Sequence, residues 1–258
     1  MMTIGPVMSE ERFARETVAD NQEVMTVQGT IVRAAVLLVV LLGGALWPWH
    51  TFFTKYIPNS DMTGVPGLAV LMGAGVIGGL VLSLIISFLP KTAPYLAVPY
   101  AFCEGVFMGA VSAQFEVMYK GIVFQAIVGT FGVLMVLLSC YSLGLIRATR
   151  KLRAVLLTAG IAIGLFYLVS FGLMLFKVQP EFMNQILFGN GWLGIGFSVI
   201  VCVVAALYLI LDFDMVEKGA AMGAPKYMSW YAAFGLLVTL VWLYLEILRL
   251  LAKTRSRD

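Results

Sequence analysis

The sequence predicts an all-α fold, a polytopic membrane bundle of seven transmembrane helices, and three observations carry that expectation. Seven apolar stretches, each long enough to cross a bilayer, fill the chain from about Thr30 to Leu251. Hydrophobic residues make up 61% of the 258 and charged residues 12%, where a soluble domain carries about 25% charged residues. Stretches such as VLLVVLLGGALW and VIVCVVAALYLIL are continuously apolar, which excludes the alternating segments of about ten residues that build a membrane barrel.

A hydrocarbon core about 30 Å thick needs around 20 helical residues to cross it, and the spans are expected at 29–48, 66–89, 94–115, 121–144, 154–176, 192–213 and 229–251. Residues 1–28 read as a polar tail: Glu10, Glu11, Glu16, Asp20 and Glu23 stand beside Arg12 and Arg15, without the basic start of a signal peptide. The first span ends in a Trp47, Trp49 and His50 cluster, and Trp192 and Trp230 also fall at span ends, where indole rings anchor a helix in the interface. Gly75 with Gly79 in the second span, Gly105 with Gly109 in the third, and Gly160 with Gly164 in the fifth each form a GxxxG pair, which lets two backbones approach closely in lipid. Pro94 opens the third span, and Pro99, farther in, is a candidate kink. Residues 252–258 are expected to be a basic tail.

Arg147, Arg150, Lys151 and Arg153 lie between the fourth and fifth spans, so that loop is cytoplasmic by the positive-inside rule. Alternation then places the N-terminus, Lys91, Lys218 and Lys226 on the same side. The far end conflicts with the rule: seven full crossings put Arg249, Lys253, Arg255 and Arg257 outside, so either the last segment is re-entrant or the rule is broken once. The formal charge of +3 is spread over membrane edges and does not indicate nucleic acid. Cys103, Cys140 and Cys202 all sit in apolar segments without metal-ligand spacing and read as buried thiols.

Intramembrane carboxylates are the ionisable groups best placed to act, because a charge within a span costs several kcal/mol unless it is paired, protonated or lining a cavity. Glu104 is the deepest, near the middle of the third span, as a hydrogen-bonded neutral acid or an ion-pathway carboxylate. In LDFDMVEKG, Asp212 faces the bundle on the side of Tyr208 and Leu209, whereas Asp214, Glu217 and Lys218 share the opposite face. Asp214 and Glu217 are expected at a solvated helix end, and Glu246 is expected to pair with Arg249. No HExxH motif, serine-nucleophile segment or intramembrane aspartyl protease element is present, so neither an enzyme nor a bound cofactor is expected. No internal repeat points to a transporter.

YAFCEGVFMGAVSAQFE, GIVFQAIVGTFGV, AALYLILDFDMVEKG and APKYMSWYAAFGLLVTLVWLYLEILRLLAK together resemble the Bax inhibitor-1 family in its bacterial branch. The resemblance covers almost everything after about Met25. It implies seven helices with the last surrounded by the other six, in a bacterial inner membrane. It also implies a proton-sensitive calcium or cation leak channel, whose sensor is a pair of aspartates in the sixth and last helices. Asp212 falls where the first aspartate belongs, and Thr239 stands where the second does. Asp212 is thereby the tentative calcium ligand and pH sensor nearest the cytoplasmic mouth, with Glu104 as a deep partner through Thr239 or water. The alternative is a membrane-embedded regulator of a quality-control protease or stress-response complex.

Overall fold

A computed structural model describes residues 3–4, 8–9, 23–56, 66–178 and 180–256. Glu10, Glu11, Arg12, Arg15, Glu16, Asp20 and Arg257, and with them most of the expected N-terminal tail, lie outside the described residues. The described residues are mainly helical, with a two-residue antiparallel pair, Thr3–Ile4 with Met8–Ser9, and an isolated bridge between Val24 and Pro225. The helices are α1 Val27–Thr51, α2 Pro66–Phe88, α3 Ala93–Met118, α4 Ile122–Ser142, α5 Arg150–Leu175, α6 Glu181–Leu187, α7 Trp192–Ala221 and α8 Met228–Arg255. Six of them are long and apolar enough to cross a membrane, and α2 adds a shorter apolar run, Met72–Phe88. The expected spans therefore reappear as helices, with α6 an extra short helix that no apolar periodicity announces.

Local chemistry explains the boundaries. Thr26 caps α1 by accepting from the Gly29 amide at 3.0 Å, and Thr149 caps α5 by accepting from the Leu152 amide at 3.2 Å, each satisfying one of the orphan donors of a first turn. Pro99 is carried inside an unbroken α3. Trp47 and Trp192 are exposed, as interfacial rings are.

One compact unit comprises Glu10–Lys120 and Met215–Leu237. Four of its glycines, Gly44, Gly75, Gly105 and Gly109, are contact points between backbones. A Cβ built at Gly105 would fall on the Leu41 carbonyl and within 3.0 Å of Leu41 Cα. One at Gly109 would fall on the Ala45 carbonyl, with Ala45 Cα at 2.7 Å, and one at Gly44 would meet the Phe102 carbonyl at 2.7 Å. On α2, a Cβ at Gly75 would meet the Phe107 nitrogen at 2.9 Å. Bare backbone on both sides thus lets α3 lie directly against α1 and α2, the packing by which helices associate where water exclusion no longer drives them.

The segment before α1 is tied to the connection before α8. The Met25 amide donates to the Ala224 carbonyl at 2.6 Å, the Lys226 amide donates to the Glu23 carbonyl at 2.9 Å, and the Lys226 ammonium pairs with the Glu23 carboxylate. That ammonium holds the exposed Glu23 carboxyl below its ordinary value. Its stabilisation is therefore present above the ordinary carboxylate range and is lost as pH falls through the lowered value. The tie puts Glu23 and Lys226 on one side of the membrane, as alternation requires. Arg33, inside the first span and not singled out in the sequence, stacks over Trp230 at 5.5 Å and donates to the Gly29 carbonyl at 2.8 Å.

The other unit comprises Met1–Ser9, Gly121–Asp214 and Val238–Asp258. Gly160 makes room for Tyr208: a Cβ there would strike the phenol, whose hydroxyl donates to the Leu156 carbonyl at 2.8 Å. Gly164 meets nothing within 4 Å, so this GxxxG pair serves one side chain rather than a helix crossing.

The last helix is unbroken over 28 residues, about 42 Å at 1.5 Å per residue, which is long enough for a full crossing, the first of the two alternatives its charges left open. It continues to Arg255, so residues 252–255 of the expected basic tail are helical. From Tyr227 to Lys253 no residue is exposed. Three of the cations behind the charge conflict have partners within the unit. Arg249 pairs with Glu246 at 2.9 Å, Arg255 donates to Gln125 at 2.9 Å, and Lys253 is buried. Single cysteines at Arg150 and Ser256, in a chain lacking Cys103, Cys140 and Cys202, are expected to be labelled from opposite sides of the membrane. Labelling of both from one side would contradict a full crossing by α8.

Candidate functional site

Thr239, Glu246 and Lys253 recur at seven-residue steps on α8, and Ser198, Ala205 and Asp212 recur at seven-residue steps on α7. Seven residues are nearly two helical turns, so each set lies along one face. The two faces meet antiparallel. The Thr239 hydroxyl donates to the Asp212 carboxylate, and the Lys253 ammonium donates to the Ser198 hydroxyl at 2.9 Å. In that register the small Ala205 stands opposite Glu246. The result is a polar seam through otherwise apolar helices, about 21 Å from Thr239 to Lys253 at 1.5 Å per residue. Asp212 is 1% exposed, Thr239 0%, Glu246 2% and Lys253 4%.

Each level of the seam is satisfied differently. Asp212 accepts from Thr239, while its Oδ2 is buried and has no hydrogen-bond partner among the described residues. A buried carboxylate oxygen left unpaired is costly. A proton or a cation at that oxygen removes the cost. In the middle, Glu246 accepts from Arg249 at 2.9 and 3.1 Å and from the Tyr167 hydroxyl at 2.9 Å, and the Arg249 guanidinium lies over the Tyr167 ring at 5.1 Å. Glu246 therefore pairs with Arg249 as expected and gains Tyr167 of α5. It lies about 10 Å along α8 from Thr239, beyond the range in which it could share a proton with Asp212.

Asp214 departs from its expected place. Its carboxylate pairs with Arg153 in the first turn of α5, with side chains only 13% and 11% exposed, so the solvated-end reading holds for the exposed Glu217 alone. The loop cation Arg153 thus reaches Asp214, two residues beyond Asp212 on α7. Arg153→Met is expected to lower stability by about 1 to 3 kcal/mol, because it strands a largely buried acceptor. Arg153→Met with Asp214→Leu should recover most of that loss, since replacing both partners by apolar groups can be nearly neutral. Thermal unfolding in detergent measures both.

Glu104 lies in the other unit, half-buried near the middle of α3. Its carboxylate accepts from the Tyr100 hydroxyl and lies over Gly79, where a Cβ would meet Oε2 at 3.0 Å. Tyr100 in turn stacks edge-on against Phe234 at 4.7 Å. Of the residues singled out in the sequence, the structure brings together Asp212 with Thr239 and Glu246 with Arg249, and gives Glu104 a partner, Tyr100, that the sequence did not single out. Sequence reasoning also missed Lys253, Ser198, Tyr167 and Arg153. The seven-residue step Thr239, Glu246, Lys253 was the signal that could have found the first of them. Among the described residues no group of three His, Cys, Asp or Glu side chains could hold a metal ion.

The family model described as Bax inhibitor 1 like matches residues 5–256. No curated protein and no solved structure gives a significant match.

Proposed function

Since the chain belongs to the Bax inhibitor-1-like family of integral membrane proteins, we propose that it is a pH-sensitive leak channel for calcium or another cation, with the seam between α7 and α8 as the path. The observation that carries this reading is Asp212, a fully buried acid with one oxygen unpartnered, on a seam in which Ser198, Thr239, Glu246 and Lys253 are also polar and buried. Intramembrane ionisable groups are retained at a cost of several kcal/mol, and ion pathways are a principal reason for retaining them. A proton and a cation compete for the same oxygen of Asp212, so lowering pH closes the path. Glu104, held by Tyr100, is another carboxylate within the spans and a second place for proton uptake.

The protein acts without catalysing a reaction, in a bacterial inner membrane, with its N-terminus, the Arg147 to Arg153 loop and the Asp212 end of the seam on the cytoplasmic side. Liposomes holding only this purified protein test the reading. A channel conducts alone, and the expected result is entry of calcium or a monovalent cation at neutral pH. Liposomes that stay tight to every cation would point instead to a membrane-embedded regulator of another complex, such as a quality-control protease.

A further inference from the structure

The end of the seam opposite Asp212 is held by a cation of the chain's own. Lys253 Nζ donates to the Ile186 carbonyl at 2.7 Å, the Gly194 carbonyl at 2.9 Å and the Ser198 hydroxyl at 2.9 Å. An ammonium has three donors, and all three are used. Among the described residues, Arg249 one turn earlier on α8 pairs with Glu246, nearly two turns earlier. Lys253 is therefore held by neutral oxygens rather than by a carboxylate. Ile186 lies in the last turn of α6, where carbonyls lack intrahelical partners and carry the negative end of the helix dipole. The walls are close-packed: a Cβ at Gly194 would meet the Gln185 carbonyl at 2.8 Å, so the start of α7 and the end of α6 touch through their backbones.

Converging neutral oxygens are the chemistry by which proteins replace the hydration shell of a monovalent cation. The distances of 2.7 to 2.9 Å are longer than the roughly 2.3–2.6 Å of calcium–oxygen contacts or the roughly 2.0–2.1 Å of magnesium, and they suit a cation of ammonium size. We propose that Ile186 O, Gly194 O and Ser198 Oγ form a monovalent-cation cage, and that the Lys253 ammonium is a tethered cation that fills it.

Thermal unfolding of purified Lys253→Ala protein in N-methylglucamine, sodium, potassium, ammonium and methylammonium chlorides at one ionic strength tests the cage. The variant should unfold at lower temperature than the wild type in N-methylglucamine, and recover in ammonium or methylammonium and partly in potassium. The wild type, with its cage filled, should be indifferent to the series. A variant equally stable in every salt overturns the proposal. If Lys253→Ala yields no folded protein, Lys253→Arg decides. Its planar fork keeps the charge but cannot place three donors as a compact ammonium does, so it should be less stable than the wild type. An arginine variant as stable as the wild type overturns the cage. Because the readout is unfolding and not flux, a wild type that conducts nothing leaves the cage standing, and salt-blind unfolding removes the cage while leaving conduction intact.

Discussion

Gly105→Ala, which adds a single carbon, is expected to destabilise the unit containing α1 to α3 by about 1 to 3 kcal/mol, the usual cost of overpacking, and Gly105→Leu by more. The reason is that the added atom meets backbone. A Cβ at Gly105 falls on the Leu41 carbonyl and within 3.0 Å of Leu41 Cα, and backbone cannot rotate aside as a flexible side chain can. The two helices must separate, losing dispersion contacts along their whole crossing, including Gly109 against Ala45 and Gly44 against Phe102. Gly164→Ala is the matched control, since nothing lies within 4 Å of that position. Thermal unfolding in detergent should show a large shift for Gly105→Ala and almost none for Gly164→Ala. Equal shifts would mean that α3 does not lie on bare backbone.

The second large effect is on flux. Asp212→Asn keeps the shape and the Thr239 contact but removes the charge, and calcium affinity falls as the charge count of its ligands falls. Cation flux should fall at neutral pH, and what remains should lose most of its pH dependence. Thr239→Asp is expected to act in the opposite sense on the pH profile. It places a second carboxyl against Asp212, and two carboxyls in contact in a low dielectric do not both ionise readily. Their titrations couple, and the pH response should steepen. A Thr239→Asp profile superimposable on the wild type would mean that the two side chains do not act as one site.

Much of the architecture was legible because the bilayer imposes a single rule, that a span needs around 20 apolar residues with every backbone group satisfied within the helix. The glycine pairs at Gly75 and Gly79 and at Gly105 and Gly109 were legible for the same reason: small residues at a helical spacing have few uses other than close approach. Gly160 and Gly164 carry the same pattern and pack differently, because spacing does not say whether backbone or a tyrosine faces the gap. Asp212 was readable as inward-facing from its position relative to Tyr208, whereas Asp214 was not readable as buried. Its partner Arg153 lies across a long sequence separation and was counted as a loop charge for topology. Lys253 was hidden by the same count, since a lysine near a span end looks like a tail charge until the last turn of α6 and the first turn of α7 are seen around it. The seam needed the antiparallel register of α7 and α8, which follows from tertiary packing and not from either helix alone.

The most direct measurement is cation flux into liposomes reconstituted with purified wild-type protein and, side by side, with Asp212→Asn, as external pH is lowered stepwise. Wild-type flux that falls with pH, beside Asp212→Asn flux that is low and nearly flat, is the expected result. Flux through Asp212→Asn that matches the wild type in size and in pH dependence would contradict the assignment of the seam at Asp212 as the proton-sensitive ion path.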